Sequence, residues 1–217
     1  MSIRKVNFVE GEYYHIYNRG NSKRTIFHDK SDYLRFVFLL FISNDIEYFK
    51  ISNLTDLDFK KIKKTEPLVS IGSYCLMPNH FHILITERVE NGISKFMQKL
   101  STAYSMYYNR KYNRTGSLFE GKFKSEHINN NRYMKYIFSY IHLNPLKLKN
   151  KDWKKDKNKD KNILLSYLDS YPYSSYLDFL KTGRDQEVIL DLDKFPKYFP
   201  NKESLKKEVF EWLSFNE

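Results

Sequence analysis

Cysteine and long apolar runs are scarce in this sequence. The single cysteine among the 217 residues, Cys75, cannot form an internal disulfide and has no second thiol for a cysteine-based zinc site. No apolar run approaches the roughly 20 residues that span a membrane, and the first residues, MSIRKVNFVEGE, contain no apolar signal core. We therefore expect a cytoplasmic protein that has no membrane partner.

Positive charge and aromatic side chains are abundant instead. Lys and Arg number 37 against 26 Asp and Glu, a formal charge of +11, and 17% of the residues are aromatic. The 41% hydrophobic content suffices for one packed domain with an appendage. Contacts between cations and phosphates release condensed counterions, so this balance favours nucleic acid as the partner. A solvated lysine-rich surface is the alternative.

Three segments have the composition of β-strands. Residues 12–19, EYYHIYNR, are rich in aromatic and β-branched types and lead into the turn formers NRGNS, which predicts a strand ending near Gly20. The runs VSIGSYCLM and HFHILITE are separated only by Pro78 and Asn79, which are common turn residues. These two runs predict a hairpin in the centre of a sheet.

Three further segments predict helices. A long stretch without turn residues begins at Ser31, and we expect its helix to end somewhere in 45–55. The segment 91–112 places its apolar residues on one helical stripe. The segment NRYMKYIFSYIHLN is also helical in pattern, and Pro145 stops it.

The last part of the chain changes in composition. Residues 151–162, KDWKKDKNKDKN, are almost entirely charged residues and Asn around one Trp, which predicts a solvated Lys-rich linker or insertion. Beyond it, SYLDSYPYSSYLDFL and SLKKEVFEWLSF indicate short helices that pack back on the domain. The expected organisation is a domain over 1–150, the linker or insertion over 151–162 and a helical C-terminal extension over 163–217.

His80 and His82 are the first candidates for chemistry. Alternate side chains of a strand share a face, so the two imidazoles project together about 6.5 to 7 Å apart, with Phe81 on the other side. Neutral imidazole is the commonest nitrogen ligand for divalent metals. Two polar rings in the apolar run FHILI need a reason, which either a metal or hydrogen bonds would supply. A pair of surface histidines near a turn is the alternative.

A helix with Tyr at i and Asn, Gln or His at i+4 would deliver a nucleophile and a metal ligand to one place. Among the tyrosines of the two later predicted helices, only Tyr140 has such a partner, Asn144. A phenol with the ordinary pKa of about 10 needs a base or a nearby cation to react at neutral pH. A core tyrosine with a satisfied hydroxyl is the alternative for Tyr140.

Five blocks occur together in one order: an aromatic strand followed by NRGN, then SYCLMPNHFHILI, FMQKLSTAYSMYYNRKYNRTGSLFEGKFKS, YIFSYIHLNPLK and YPYSSY. In this arrangement the chain resembles the REP-associated tyrosine transposases, within the one-tyrosine HUH transposases of the insertion-sequence family. The resemblance extends over residues 10–180, and MPNHFH and YIHLNP are its most specific blocks. The interval between Pro145 and YPYSSY is longer than the family leads us to expect.

The resemblance implies an α+β fold, in which a ferredoxin-like domain has a central antiparallel sheet flanked by helices. It implies that the HUH transposase catalytic domain lies in 1–150, with Tyr140 as the nucleophile and with Mg²⁺ or Mn²⁺ bound by His80, His82 and Asn144. Enzymes of this kind are expected to cut single-stranded DNA beside hairpin or palindromic repeats. The cut leaves a 5′-phosphotyrosine link and a free 3′-hydroxyl, and a second transfer rejoins the ends.

Such a DNA substrate calls for cations beside phosphates and aromatic rings beside unstacked bases. The stretch around 110–124 supplies both, and the resemblance places a second patch, next to NRGN, near the DNA-binding face. The candidate DNA-binding residues are Arg19, Lys23, Arg24, Arg110, Lys111, Tyr112, Arg114, Phe119, Lys122 and Lys124. A solvated basic loop with core phenylalanines is the alternative. The remaining histidines near these elements, His15, His127 and His142, are expected to be structural or DNA-facing.

Two other functions remain open on the sequence. A domesticated, noncatalytic protein that binds hairpin DNA or RNA would keep the same fold, although it has no need of a nucleophile. A small zinc hydrolase built on His80 and His82 lacks a carboxylate at helical His-Glu spacing. The sequence also leaves open whether the protein acts as a monomer or as a homodimer.

Overall fold

Two histidine-bearing strands form the centre of a four-stranded antiparallel sheet. In the computed structural model, which describes residues 7–48 and 58–214, β1 (Tyr13–Arg19) and β3 (His80–Glu87) lie between β2 (Val69–Met77) and β4 (Lys124–Ile128). Helices α1 (Lys30–Ile42) and α2 (Gly92–Lys111) connect β1 to β2 and β3 to β4. This β-α-β-β-α-β order is ferredoxin-like and confirms the predicted α+β fold.

The two faces of the sheet differ in chemistry because side chains alternate along each strand. Ile16, Phe81 and Ile83 point to one face and pack with α1 and α2 in the largest apolar cluster. The opposite face carries His15 and His82 and is covered by α3 (Asn131–Leu143), whose Ile137, Phe138 and Ile141 pack on Met77, Leu84 and Ile128. The predicted histidine pair therefore lies between the sheet and α3.

Helix α1 ends earlier than the sequence led us to expect. Its last residue is Ile42, whereas the predicted end lay in 45–55, a range whose later part, from residue 49, lies outside the described residues. Asn44 exchanges two hydrogen bonds with the backbone of Val69, and Asp45 accepts a hydrogen bond from the backbone N–H of Thr65. Short polar side chains that bind backbone groups in this way compete with helix formation.

The existence of β4 and the edge position of β2 became clear only from the tertiary structure. Strand β4 has the sequence KSEHI, and its mostly exposed polar residues carry too little apolar alternation to predict a strand. Strand β2 lies at the sheet edge, so the prediction that the whole hairpin is central was wrong for β2. Residues 173–175 cover that edge: the Leu76 N–H donates to Tyr173 and the Ser175 N–H donates to Tyr74. Further along β2, the Asp191 N–H donates to Ile71 and the Phe195 ring lies against Gly72, and every residue of β2 is buried.

The C-terminal helices pack on the ferredoxin-like domain, as the sequence predicted. They are α4 (Leu146–Lys149), α5 (Lys161–Ser170), α6 (Tyr176–Phe179) and α7 (Lys202–Ser214). Trp153, within the Lys-rich 151–162 segment, is buried in the same cluster as Leu143 at the end of α3. The Lys-rich segment is thus attached to the core by its one aromatic residue. No helix in the described parts of the chain is long and apolar enough to cross a membrane.

Candidate active site

Strand β3 and helix α3 bring His80, His82 and Tyr140 together. The ring centroids of His80 and His82 are 5.0 Å apart, with the rings nearly perpendicular. The Tyr140 ring stands edge-on to His82 at a centroid distance of 5.6 Å and is half-buried. These three candidates, which come from two segments some 60 residues apart, form one site on the α3 side of the sheet.

Asn144 extends this site by one helical turn. Asn144 and Pro145 both have right-handed helical backbone angles, so the helical path continues past the end of α3 into α4. The buried Asn144 side chain donates from Nδ2 to the Tyr140 carbonyl at 2.9 Å, and its Oδ1 accepts from Lys147 Nζ at 3.1 Å. Pro145 therefore ends the regular hydrogen bonding of α3 without turning the chain away from the site.

His15 is a member of the site that the sequence did not indicate. Its Nε2 lies 2.9 Å from His82 Nδ1, and its Nδ1 lies 3.7 Å from Glu126 Oε2 on β4. Glu126 in turn accepts hydrogen bonds from the hydroxyls of Tyr17 and Tyr133. Alternation along β1 placed His15 on one face, but only the pairing of β1 between β3 and β4 shows that this face is that of His82.

Burial controls the protonation of the site. Burial lowers the pKa of His80 to about 4, and the charges of Lys147 and Arg19 act in the same direction. Burial also lowers the pKa of His82 well below its ordinary value, assisted by the charges of His15, His80 and Lys147. Both imidazoles are therefore neutral at neutral pH, which is the form that binds a metal.

Tyr140 has the opposite tendency. Burial raises the pKa of its hydroxyl, and the nearby Glu126 carboxylate also raises it, while the Asn144 side chain and the Lys154 charge lower it. The phenol is therefore protonated at neutral pH in the site as it stands. A positive charge brought close to the phenol oxygen would favour the phenolate, which is the nucleophilic form.

The donor set fits a divalent cation. His80 Nδ1 lies 2.6 Å from Asn79 Oδ1, and His82 Nδ1 bonds His15, so each ring keeps Nε2 for a ligand. Histidines that bind metals commonly use the other ring nitrogen in such a bond. Among the described residues no group of three or more His, Cys, Asp and Glu could hold a metal ion. A cation here would thus need the Asn144 amide oxygen and oxygens from water or substrate.

A sequence comparison decides the family. The model of the family described as IS200-like transposases matches residues 9–144, more than half of the chain, and the match includes the three ring residues and Asn144. The chain belongs to the IS200-like transposase family. No curated protein sequence matches it.

A structural comparison shows that this transposase shares its fold with a solved relative. That structure is a REP-associated tyrosine transposase bound to a REP hairpin. The similarity has a TM-score of 0.52 at 14% sequence identity and covers 88% of this chain and 93% of the other. The expected ferredoxin-like fold and the expected resemblance are thereby confirmed.

Two of the candidate DNA-binding residues of the transposase are bound by a buried carboxylate. Lys111 Nζ lies 2.7 Å from Asp32 Oδ1 and 2.8 Å from Asp29 Oδ2, and the Tyr112 hydroxyl donates to Asp32 Oδ2 at 2.7 Å. The Asp32 side chain has no solvent exposure. Lys111 and Tyr112 therefore join the end of α2 to the start of α1. Because these contacts occupy both side chains, we no longer expect them to bind DNA.

Phe119 is likewise a core residue of this transposase. Only 5% of it is exposed, and its ring packs edge-on against Phe81. The expectation that it contacts DNA is corrected by this burial, because no face of the ring is open to a base. The guanidinium of Arg114 lies over the Tyr108 ring, with its Cζ 5.8 Å from the centre of the ring, so one side of the guanidinium is occupied by this contact.

The other candidate cations include a group that reaches the active site. Arg19 donates to Glu120 Oε1 at 2.7 Å, and the charges of Lys124 and Lys23 join Arg19 in lowering the pKa of that carboxyl. Arg19 also pairs with His80 in the β1–β3 register. Lys23, Arg110, Lys122 and Lys124 are exposed, and Arg24 is partly buried with its Nε donating to the Asn21 carbonyl.

His142 and His127, the other two histidines that the sequence singled out, lie outside this site. His142 is fully buried on the other side of α3, where its Nε2 lies 2.9 Å from Ser175 Oγ. His127 on β4 pairs with Glu12 at 2.7 Å. Neither ring is bonded to a residue of the His80, His82 and Tyr140 site in this structure.

Proposed function

We propose that this transposase is a metal-dependent enzyme that cleaves and rejoins single-stranded DNA beside hairpin repeats, with Tyr140 as its nucleophile. The observation that carries the proposal is the position of the Tyr140 ring, 5.6 Å from His82 on the face that also holds His80. A core tyrosine would need no such neighbours. Asn144, one turn later, completes a set of three metal-binding candidates beside one hydroxyl.

The proposed reaction is a transesterification at phosphorus. The Tyr140 oxygen attacks the scissile phosphate and loses its proton, and the bond from phosphorus to the 3′ oxygen breaks. The leaving 3′ oxygen takes up a proton, so the products are a 5′-phosphotyrosine and a 3′-hydroxyl. Attack by another 3′-hydroxyl on the phosphotyrosine restores the phenol and joins two strands.

A bound Mg²⁺ or Mn²⁺ would supply positive charge that polarises the phosphate. His80 and His82 would hold it through Nε2, together with the amide oxygen of Asn144. The protein itself contributes neutral imidazoles and a phenol held edge-on to one of them. Because the pKa of Tyr140 is raised, the phenol needs a base or a nearby positive charge for attack at neutral pH.

The hairpin substrate is supported by two observations. The solved relative with the same fold was bound to a REP hairpin. In this chain the charges of Arg19, Lys23 and Lys124 all act on Glu120, and Arg19 pairs with His80 across the sheet, so we expect a DNA backbone bound by these cations to pass near His80. Cations in this position bind phosphates without regard to sequence.

A covalent adduct tests the proposal. The protein is incubated with Mn²⁺ and a labelled single strand that carries a hairpin, and adducts that survive SDS are resolved by electrophoresis. We expect an adduct that Tyr140→Phe abolishes. Tyr136→Phe is the matched control, because Tyr136 lies one turn earlier on α3 and stacks on Tyr140 at 5.7 Å. That variant should still form the adduct, and fully paired DNA should form none.

Two outcomes would contradict the proposal. An adduct that persists in Tyr140→Phe would place the nucleophile elsewhere. Hairpin binding by the native protein without any adduct, in Mn²⁺ and in Mg²⁺ alike, would indicate the noncatalytic binding protein that the sequence left open.

A further inference from the structure

Lys147 lies on the same helical stripe as Tyr140 and Asn144. The three residues are spaced i, i+4 and i+7, which places them on one face where the helical path is continuous. That path continues here because Asn144 and Pro145 keep helical angles and the Lys147 N–H donates to the Asn144 carbonyl. Lys147 Nζ lies 3.1 Å from Asn144 Oδ1 and 5.1 Å from the centre of the Tyr140 ring.

The charge of Lys147 is not neutralised by the described parts of the protein. Its Nζ contacts a neutral amide oxygen and an aromatic face, and within those parts it forms no ion pair with a carboxylate. Lys111, by contrast, contacts both Asp29 and Asp32. The Lys147 residue is exposed as a whole, whereas its ammonium is partly buried, and this burial lowers its pKa.

We propose that Lys147 is a further catalytic residue, whose ammonium contacts a non-bridging oxygen of the scissile phosphate. This inference rests on the proposed function of Tyr140. Attack on the phosphate develops charge on its equatorial oxygens, and a fixed cation aimed at them stabilises the transition state more than the ground state. In this structure the Asn144 amide oxygen accepts from the ammonium and keeps it beside the phenol, and a metal bound at that oxygen would release the ammonium toward the phosphate.

A purely structural role is the competing explanation. Lysines near the end of a helix interact favourably with its terminal carbonyls and with the helix dipole. Lys149 offers a matched control, because it lies on the same short helix α4 and packs over the Tyr167 ring at 5.3 Å, away from Tyr140. A structural role would affect the two lysines alike, whereas a role in catalysis belongs to Lys147 alone.

The first test measures the rate of adduct formation with a hairpin-bearing single strand and Mn²⁺. Lys147→Met, which keeps the apolar stem, should slow the reaction by roughly 100- to 1000-fold, as expected for the loss of one preorganised donor. Lys147→Arg should recover part of the rate, and Lys149→Met should match the native protein. Thermal unfolding of all three variants should be unchanged. A native rate in Lys147→Met would overturn the proposal.

The second test needs no cleavage, so it separates this inference from the proposed function. In a Tyr140→Phe background without metal, neutral methylphosphonate linkages replace the phosphates of the single strand one at a time. With Lys147 present, one position should lower the affinity by about tenfold, the loss expected for one hydrogen bond to a charged group. Lys147→Met should abolish the sensitivity at that position only. An unchanged profile in Lys147→Met would overturn the proposal, whether or not the native protein forms an adduct.

Discussion

Two histidines of this protein have similar burial and different surroundings. His82 lies beside His15, His80 and Tyr140, whereas His142 bonds Ser175, and its Nδ1 has no hydrogen-bond partner among the residues that the structure describes. Burial lowers the pKa of His142 to about 3. Its neutral form is therefore built into the fold, and it serves stability rather than the site.

Replacing His142 should change how stability depends on pH. The unfolded chain takes up a proton at this histidine near pH 6.5, while the folded chain does so only near pH 3. The contribution of neutral His142 is therefore complete above pH 6.5 and is lost as the pH falls toward 3. As the pH falls from 6 to 4, the free energy of unfolding should decrease less steeply in His142→Gln than in the native protein. The two slopes should differ by about 1.4 kcal/mol per pH unit.

Urea unfolding at pH 6, 5 and 4 checks this difference. Ser175→Ala is the control, because it removes the hydrogen bond to His142 without removing a titrating group. Its stability should follow the native pH dependence with a constant offset. Parallel curves for His142→Gln and the native protein would show that the pKa of His142 does not differ between the folded and the unfolded chain.

At the scale of elements, the contact between α1 and α2 shows what a helical pattern leaves undecided. The sequence predicted both ends of α2 to within one residue. It also predicted that Lys111, the last residue of this helix, binds DNA. A lysine at that position has the same local pattern whether it faces a phosphate or a carboxylate. Asp32, some 80 residues earlier, decides the matter by binding Lys111, Tyr112 and the Tyr107 hydroxyl.

Lys111→Met should therefore reduce stability and leave DNA binding intact. Asp32 would stay buried without its cation, and we expect a loss of about 2 to 3 kcal/mol, below the range for fully buried pairs because 27% of the Lys111 side chain is exposed. Urea unfolding measures the loss, and Lys95→Met on the exposed side of α2 is the control. The slope of hairpin affinity against salt should not change. A shallower slope in Lys111→Met would return this residue to the DNA surface.

At the scale of the whole molecule, the C-terminal region completes the core. The segment that matches the family ends at Asn144, yet residues 173–175 bind the outer edge of β2, and α7 packs with Leu143 and Trp153 in one cluster. Uncovered strand edges and apolar clusters promote aggregation. We therefore expect the helical extension to fold as one unit with the sheet.

A chain that stops after residue 160 should not fold to a stable monomer. Removing 161–214 would uncover the β2 edge together with Leu143, Leu146 and Trp153. We expect aggregation in size-exclusion chromatography with light scattering and a loss of the near-ultraviolet signal of fixed aromatic rings. A monomeric truncated chain with cooperative unfolding would show that the first 160 residues form a domain by themselves.

The sequence by itself determined the local features of this protein. Alternation placed His80 and His82 on one face, helical spacing joined Tyr140 to Asn144, and the excess of cations indicated a polyanionic partner. Only the tertiary structure showed that His15 bonds His82 and that Lys111 forms an ion pair with Asp32. It also showed that the helical path continues through Pro145 and places the Lys147 ammonium over the Tyr140 ring. The physical reason is that the first two contacts join residues that are far apart along the chain, and that the third depends on backbone angles. Periodicity reports which residues share a face, whereas the neighbours of that face are set by strand pairing, helix packing and backbone angles that no local pattern contains.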